Sequence, residues 1–145
     1  MWRLPPDAAN TLGVMPHRVM FSDDDFGLAD VRTIALSFPE AFEKVSWGRP
    51  VFCAPKIFAM FGGNLKRDGE MVAYPFSILI KVDESDRRAL EQDTRFYYPA
   101  YMGPSGWMGL DLKAAKVDWD EVKELVDASY RLVAPKKLIK LLDER

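Results

Sequence analysis

Basic and aromatic residues alternate along one stretch of the sequence, and this is the pattern best suited to binding chemistry. From Lys44 to Arg67 the chain carries five basic side chains and no acidic one. Trp and Phe side chains are interleaved with these cations, and proteins that bind single-stranded nucleic acid place stacking rings beside cations in this way. We therefore expect a nucleic-acid surface here, with the candidate cations Arg49, Lys56, Lys66 and Arg67.

The alternation of side chains along a strand assigns these residues to two faces. Lys56 and Phe58 would share one face, and Ile57 and Phe61 would share the other. If the Ile57 face packs on helices, the Lys56 face is left open. Phe58 is then expected to be an exposed ring, as is Trp47.

A second basic group follows near the end of the chain, at Lys136, Lys137 and Lys140. The ordinary alternative for both groups is a solvated surface, with cations near a helix C-terminus. The formal net charge of -2 gives no overall attraction for a polyanion, so binding would require a local patch.

Catalytic residues are scarce in the sequence. His17 is the only histidine, and Cys53 lies in an apolar run, so the usual general base and an activated thiol are missing. No glycine-rich phosphate-binding motif opens a helix, and no cofactor is expected. We expect a non-enzymatic protein, unless a pocket recruits His17 or Asp111.

A metal site is a weaker alternative, through an acidic ridge on the first helix. Its candidate ligands are Asp23, Asp24, Asp25 and Asp30. Acidic side chains at the start of a helix also interact favourably with the helix dipole, which explains them without a metal.

Length and composition predict one domain. A chain of 145 residues with 48% hydrophobic content can bury an ordinary core. We expect residues 1–20 to form an extended arm and residues 21–145 to form the domain. One cysteine allows no internal disulfide and fits a reducing cytoplasm, and no segment is long and apolar enough to span a membrane.

Capping and turn signals predict the order of the elements. A helix begins at Ser22, with Asp25 in the reciprocal capping position, and ends at Pro39. Short strands follow, with a hairpin connection from Gly62 to Gly69. The predicted strands are 43–47, 51–53, 56–61, 75–82, 95–98 and 107–112; the later helices are 84–92, one from Asp118 to 133, and 135–142. The expected fold is a two-layer α+β sandwich, whose antiparallel sheet is covered on one face by the N- and C-terminal helices.

The ordered blocks "ALSFPEAFEKVSWGRPVF", "KIFAMF", "ILIKVDESDRRALEQD", "FYYPAYMGPSGWMGLDL" and "DEVKELVDASYRLVAPKKL" resemble the MmcQ/YjbR family. The resemblance covers about 22–142 and implies a CyaY-like α+β fold and DNA binding of the double-wing type, with no catalytic residues. The residues that match the family pattern are Trp47, Gly48, Pro50, Phe52, Lys56, Phe58, Lys81, Trp107, Ser129 and Tyr130.

Lys81 and Trp107 thus join the candidate surface, while the role of Arg49 depends on local charge alone. A protein-protein interaction module is the main alternative. It would use the open sheet face, with Trp47 or Trp107 as anchors, because aromatic residues dominate interface energetics. The oligomeric state is not predicted.

Overall fold

Six antiparallel strands form one layer of the protein, which we describe from a computed structural model covering residues 18–145. The sheet order is β1-β2-β3-β4-β6-β5. The strands are β1 Phe42–Ser46, β2 Arg49–Cys53, β3 Ile57–Arg67, β4 Glu70–Lys81, β5 Phe96–Tyr97 and β6 Trp107–Asp111. Most of the predicted arm lies outside the described residues.

Helices form the second layer. They are α1 Leu28–Ala35, α2 Glu84–Glu91, α3 Trp119–Val133 and α4 Lys136–Asp143. Leu28 of α1, Val126 of α3 and Leu138 of α4 pack into one cluster with strand residues such as Phe61 and Ile78. This arrangement confirms the predicted α+β sandwich, with the terminal helices on one face. No helix within residues 18–145 has the length and apolarity needed to cross a membrane.

The first helix begins later than its capping signals indicate. The Ser22 N–H does donate to the Asp25 carboxylate at 3.0 Å, as the predicted capping box requires. Gly27 then adopts the left-handed conformation with φ 85°, and α1 starts at Leu28. The signal therefore marks an isolated turn, and the predicted helix start at Ser22 is wrong.

The β3–β4 hairpin is longer than predicted. Its strands run as far as Arg67 and resume at Glu70, joined by Asp68 and Gly69. Both turn residues have positive φ, 50° and 80°, as the favoured two-residue hairpin turn requires. The Gly62–Gly63 pair consequently lies inside β3 rather than in a connection.

A β-bulge at Phe58 changes which residues face the helices. Cys53 pairs with Ile57 and Phe52 pairs with Ala59, so Phe58 has no partner on β2. Because a bulge inserts one residue, it breaks the two-residue alternation. Phe58 is fully buried, with its ring edge-on to Tyr130 of α3 at 5.1 Å between centroids. The expectation of an exposed Phe58 is therefore wrong.

The face opposite the helices carries a second, smaller cluster. Its buried members are Val51, Cys53, Met60, Leu79 and Tyr97, and Trp107 packs against them while half-buried. The loop 98–106 folds over this face and is held by a hydrogen bond from the Ala100 N–H to the Asn64 carbonyl, 2.8 Å long. The face that was expected to be open is thus largely covered, and a cavity remains beside the loop.

Candidate functional site

The cavity lies between the β1–β2 turn and the loop 98–106. Its volume is about 350 Å³, within the range typical of small-molecule sites. Arg49, Met60 and Gly62 contribute to its lining from the sheet, and Trp47 and Tyr101 contribute from the two flanking segments. A strand pair and two connections therefore build one concave surface.

Arg49 is the only charged residue among those described that line this cavity. It is 7% exposed, and within residues 18–145 no hydrogen bond or ion pair engages its guanidinium. Burial lowers the pKa of Arg49, and the nearby Tyr97 and Asp25 oppose that shift. The expectation of an open-surface Arg49 is wrong, because its side chain lies down on the sheet over Gly62.

Gly62 provides the space for this guanidinium. A Cβ at that position would lie 2.2 Å from Arg49 Nη1, so the guanidinium would have to move away from β3. Gly62 also has φ 85°, in the left-handed region that favours glycine. The glycine therefore allows the arginine to be buried against the backbone of β3.

Tyr97 occupies the neighbouring space on the same face. Its ring and hydroxyl lie across Gly63 and Gly109, where added Cβ atoms would come within 2.5 Å and 2.4 Å of the tyrosine. The hydroxyl shares a 2.7 Å hydrogen bond with that of Ser77, and the ring stacks on Tyr74. Burial raises the pKa of Tyr97 to about 12.

Two aromatic rings on the cavity lining remain exposed. Trp47 is 58% exposed and Tyr101 is 77% exposed. Both have positive φ, 52° and 67°, a conformation that is costly for bulky residues and is often found at ligand sites. Lys66 extends this surface, because its Nζ lies 5.9 Å from the centroid of the Tyr101 ring.

Lys66 and Arg67 adjoin different depressions. They are consecutive residues of β3, so their side chains leave the strand in opposite directions. Lys66 lies beside Tyr101, whereas Arg67 lines a separate depression with Tyr74 and Arg95. Of this predicted pair, only Lys66 adjoins the cavity.

The remaining predicted cations lie elsewhere. Lys56 is exposed in the β2–β3 turn, and Lys81 is the last residue of β4 at the same end of the sheet. The eleven residues of β3 separate this end from the hairpin tip by about 33 Å at roughly 3.3 Å per residue. Lys136, Lys137 and Lys140 are exposed on α4, in the helix layer. The predicted cations therefore do not form one continuous surface.

The acidic ridge does not assemble as a metal site. Asp23 pairs with Arg32 at 2.9 Å, and Asp25 accepts the Ser22 N–H. In the described part of the chain, no group of three or more Asp, Glu, His or Cys side chains is placed to hold an ion. The candidate Asp30 lies in the first turn of α1, where it favours the helix dipole.

A larger groove of about 460 Å³ runs between α2 and α3. It carries four charged side chains, those of Lys81, Asp83, Asp86 and Arg131. Two of them have structural partners: Asp83 caps α2, and Arg131 pairs with Asp127 and Asp143. The rest of its lining is mainly apolar, with Leu132 47% exposed. The cavity at Arg49 is the better candidate site because the one charged residue of its described lining is a buried cation, whereas the groove mixes two cations with two carboxylates.

Sequence reasoning missed Tyr101 and Asn64, and it misassigned the glycine pair. A glycine pair followed by a further β-like run can also indicate a strand that another group approaches closely. Here Arg49 and Tyr97 make that approach at Gly62 and Gly63. Tyr101 offered no periodic signal, because it lies in an irregular loop.

Residues 36–132 match the family model for YjbR. The chain is also similar to a solved structure, the crystal structure of Deinococcus radiodurans protein DR2400, which has the family-model domain DUF419. The two share 19% sequence identity with a TM-score of 0.54, over 80% of this chain and 87% of that one. No curated protein matches the sequence. The matched range includes Arg49 and the rest of the described cavity lining except Met20. Because the family model spans more than half of the chain, the chain belongs to the YjbR family.

Proposed function

We propose that this domain binds single-stranded nucleic acid, without catalysing a reaction, at the cavity between Trp47 and Tyr101. The proposal rests on one observation: the exposed rings of Trp47 and Tyr101 line the same cavity as Arg49, and Arg49 is the one charged residue of the described lining. Base-aromatic stacking is worth about 1–3 kcal/mol per base, and it tolerates any base sequence.

The charge distribution supports an anionic ligand. The described lining contains Arg49 and no acidic residue, and Lys66 lies next to the Tyr101 ring. The net charge of -2 is therefore not the charge that a ligand would meet at this site. A local cationic cavity on a mildly acidic protein is compatible with short, salt-sensitive contacts to phosphates.

The polar chemistry of the cavity supports binding rather than catalysis. Besides Arg49, its polar side chains include Ser46 and Asn64, and the described lining has no histidine, carboxylate or cysteine to move a proton. Cys53 is buried in the neighbouring cluster, where burial raises the pKa of its thiol and disfavours the thiolate.

The first test measures the affinity of the full chain for a fluorescently labelled oligothymidylate of about 12 nucleotides, by fluorescence anisotropy. Replacing Trp47→Ala and Tyr101→Ala together should weaken binding at least tenfold, because two stacking contacts are lost. Phe42→Ala is the matched control, since Phe42 is 44% exposed on β1 but outside the cavity lining. Equal effects of the ring pair and the control would contradict the proposal.

The second test measures how the affinity for the oligonucleotide depends on salt. Two or three phosphate contacts should lower the affinity roughly seven- to twentyfold between 50 and 200 mM salt. A duplex of the same length should bind more weakly than the single strand, because its bases are already stacked. Affinity that does not change with salt would overturn the proposal and favour a protein partner at the exposed rings.

A further inference from the structure

We infer that Arg49 binds the phosphate group of a nucleotide whose base stacks on the rim of the cavity. This inference rests on the proposed function and specifies the chemistry of the same site. The ligand is either a free nucleotide or one unit of a strand, and the phosphate is common to both.

The first argument is the missing partner of Arg49. Among residues 18–145, the three half-buried arginines all pair with carboxylates: Arg32 with Glu43, Arg95 with Asp93 and Glu121, and Arg87 with Glu84. Arg49 is more buried than any of them and has no such partner within residues 18–145. Arg49 lines the cavity, and an anionic ligand there would supply the negative charge that a largely buried cation favours.

The nearest acidic group does not fill this role. Asp25 acts on Arg49 only through its longer-range field, and its carboxylate accepts a hydrogen bond from the Ser22 N–H. Tyr97 is the other neighbour, and its hydroxyl is already bonded to Ser77. With respect to residues 18–145, the guanidinium therefore keeps its donors available for an anion that enters the cavity.

The second argument is the shape of the site. Gly62 lets the planar guanidinium lie against the strand, and this fixes the direction of a fork that suits two phosphate oxygens. Trp47 and Tyr101 belong to the same cavity and have the exposed faces that a base requires. An inorganic phosphate ion would contact only Arg49, whereas a nucleotide would contact Arg49 with its phosphate and the exposed rings with its base.

The experiment compares deoxythymidine monophosphate, thymidine and inorganic phosphate as ligands of the full chain, by isothermal titration calorimetry. The monophosphate should bind at least tenfold more tightly than thymidine, and inorganic phosphate should compete with it. Arg49→Met should remove this discrimination, and Arg49→Lys should restore part of it, because lysine keeps the charge but lacks the fork. Lys56→Met is the control, since it removes an exposed cation that does not line the cavity.

Protein stability separates a binding role from a structural one. Arg49→Met should melt at the same temperature as the wild type or higher, because it removes a buried charge that has no ion-pair partner within residues 18–145. The nitrogen resonances of the Arg49 side chain in the wild type should also shift when phosphate is added, which tests the contact without a substitution. Unchanged resonances, or equal affinities for monophosphate and thymidine, would overturn the inference.

Failure of this inference can be distinguished from failure of the proposed function. If the oligonucleotide requires Trp47 and Tyr101 but Arg49→Met binds it normally, the strand-binding function stands and the phosphate site is wrong. If the monophosphate requires Arg49 but the oligonucleotide binds no more tightly than the monophosphate, the site stands as a free-nucleotide site and strand binding is wrong.

Discussion

Tyr97 shows how single residues on the covered sheet face are held in place. Its ring fills the space that two glycines leave free, and its hydroxyl bonds to the buried Ser77. Because burial raises its pKa to about 12, the folded protein keeps the phenol protonated to a higher pH than the unfolded chain does. The stability associated with Tyr97 is therefore present below about pH 10 and is lost as the pH rises towards 12.

Replacing Tyr97→Phe should cost about 0.5–1.5 kcal/mol at pH 8, because the hydrogen bond to Ser77 is lost. The difference between the two proteins should then shrink as the pH rises above about 10, since phenylalanine does not ionise. Urea unfolding of both proteins across this pH range measures the effect. Tyr101→Phe is the control because its ring is exposed, and a difference for Tyr97→Phe that stays constant with pH would contradict the prediction.

For single residues, the sequence predicts the chemical character of a region better than the burial of each side chain. The cationic and aromatic character of the Arg49 region was visible in the sequence. The burial of Arg49 was not, because it depends on Gly62 in another strand and on the loop 98–106, which closes over the face. Contacts between segments so far apart in the chain leave no local pattern.

Among the elements, α3 packs on the sheet and is also hydrogen-bonded to it through the buried hydroxyl of Ser129. Ser129 donates to the Phe58 carbonyl at 2.6 Å and accepts the Lys81 N–H at 2.8 Å. The ladder between β3 and β4 ends at the pair formed by Ala59 and Ile80, next to the bulge. The Ser129 hydroxyl therefore bridges two strands at the point where their own hydrogen bonds stop.

Replacing Ser129→Ala should lower the free energy of unfolding by about 2–4 kcal/mol, because two buried backbone groups lose their partner. Ser37→Ala is the matched control, since Ser37 makes one exposed hydrogen bond on the surface. Urea denaturation measures the stability, and amide hydrogen exchange at Lys81 should accelerate. A loss no larger than that of the control would show that water replaces the hydroxyl.

Element prediction succeeded where the signal was local. Asp118 caps α3 by accepting the N–H groups of Asp120 and Glu121, as predicted. Pro135 lies at the start of α4, but as its N-cap rather than as its predicted first residue. It failed at the bulge, because strand alternation assumes a uniform ladder and Phe58 has no partner on β2. The face assignment changed for two residues: Phe58 packs on the helix side, and Ile57, which was expected there, packs on the cavity side. The predicted exposure of Phe58 changed with it.

On the scale of the whole molecule, two hydrophobic clusters lie on opposite faces of one sheet. Leu79 belongs to the cavity-side cluster and Ile80 belongs to the helix-side cluster, and the two are neighbours on β4. Strands β2, β3 and β4 contribute to both clusters. Loss of either cluster should therefore unfold the shared strands and the whole described domain.

Leu79→Ala and Ile80→Ala should each lower the stability by about 2–5 kcal/mol, because both side chains are almost fully buried. Both variants should retain a single transition in urea, with far-UV circular dichroism and tryptophan fluorescence changing together. A separate early transition in Leu79→Ala alone would show that the cavity-side cluster unfolds independently.

Cys53 gives the protein a practical property. The chain has no other cysteine, and this thiol is fully buried beneath the cavity-side cluster with a raised pKa, so maleimide reagents should react with it slowly. A new thiol introduced by Lys66→Cys beside the rings, or by Lys137→Cys on the helix layer, would react in its place. The natural sequence is therefore a ready background for attaching a single dye or spin probe at a chosen site.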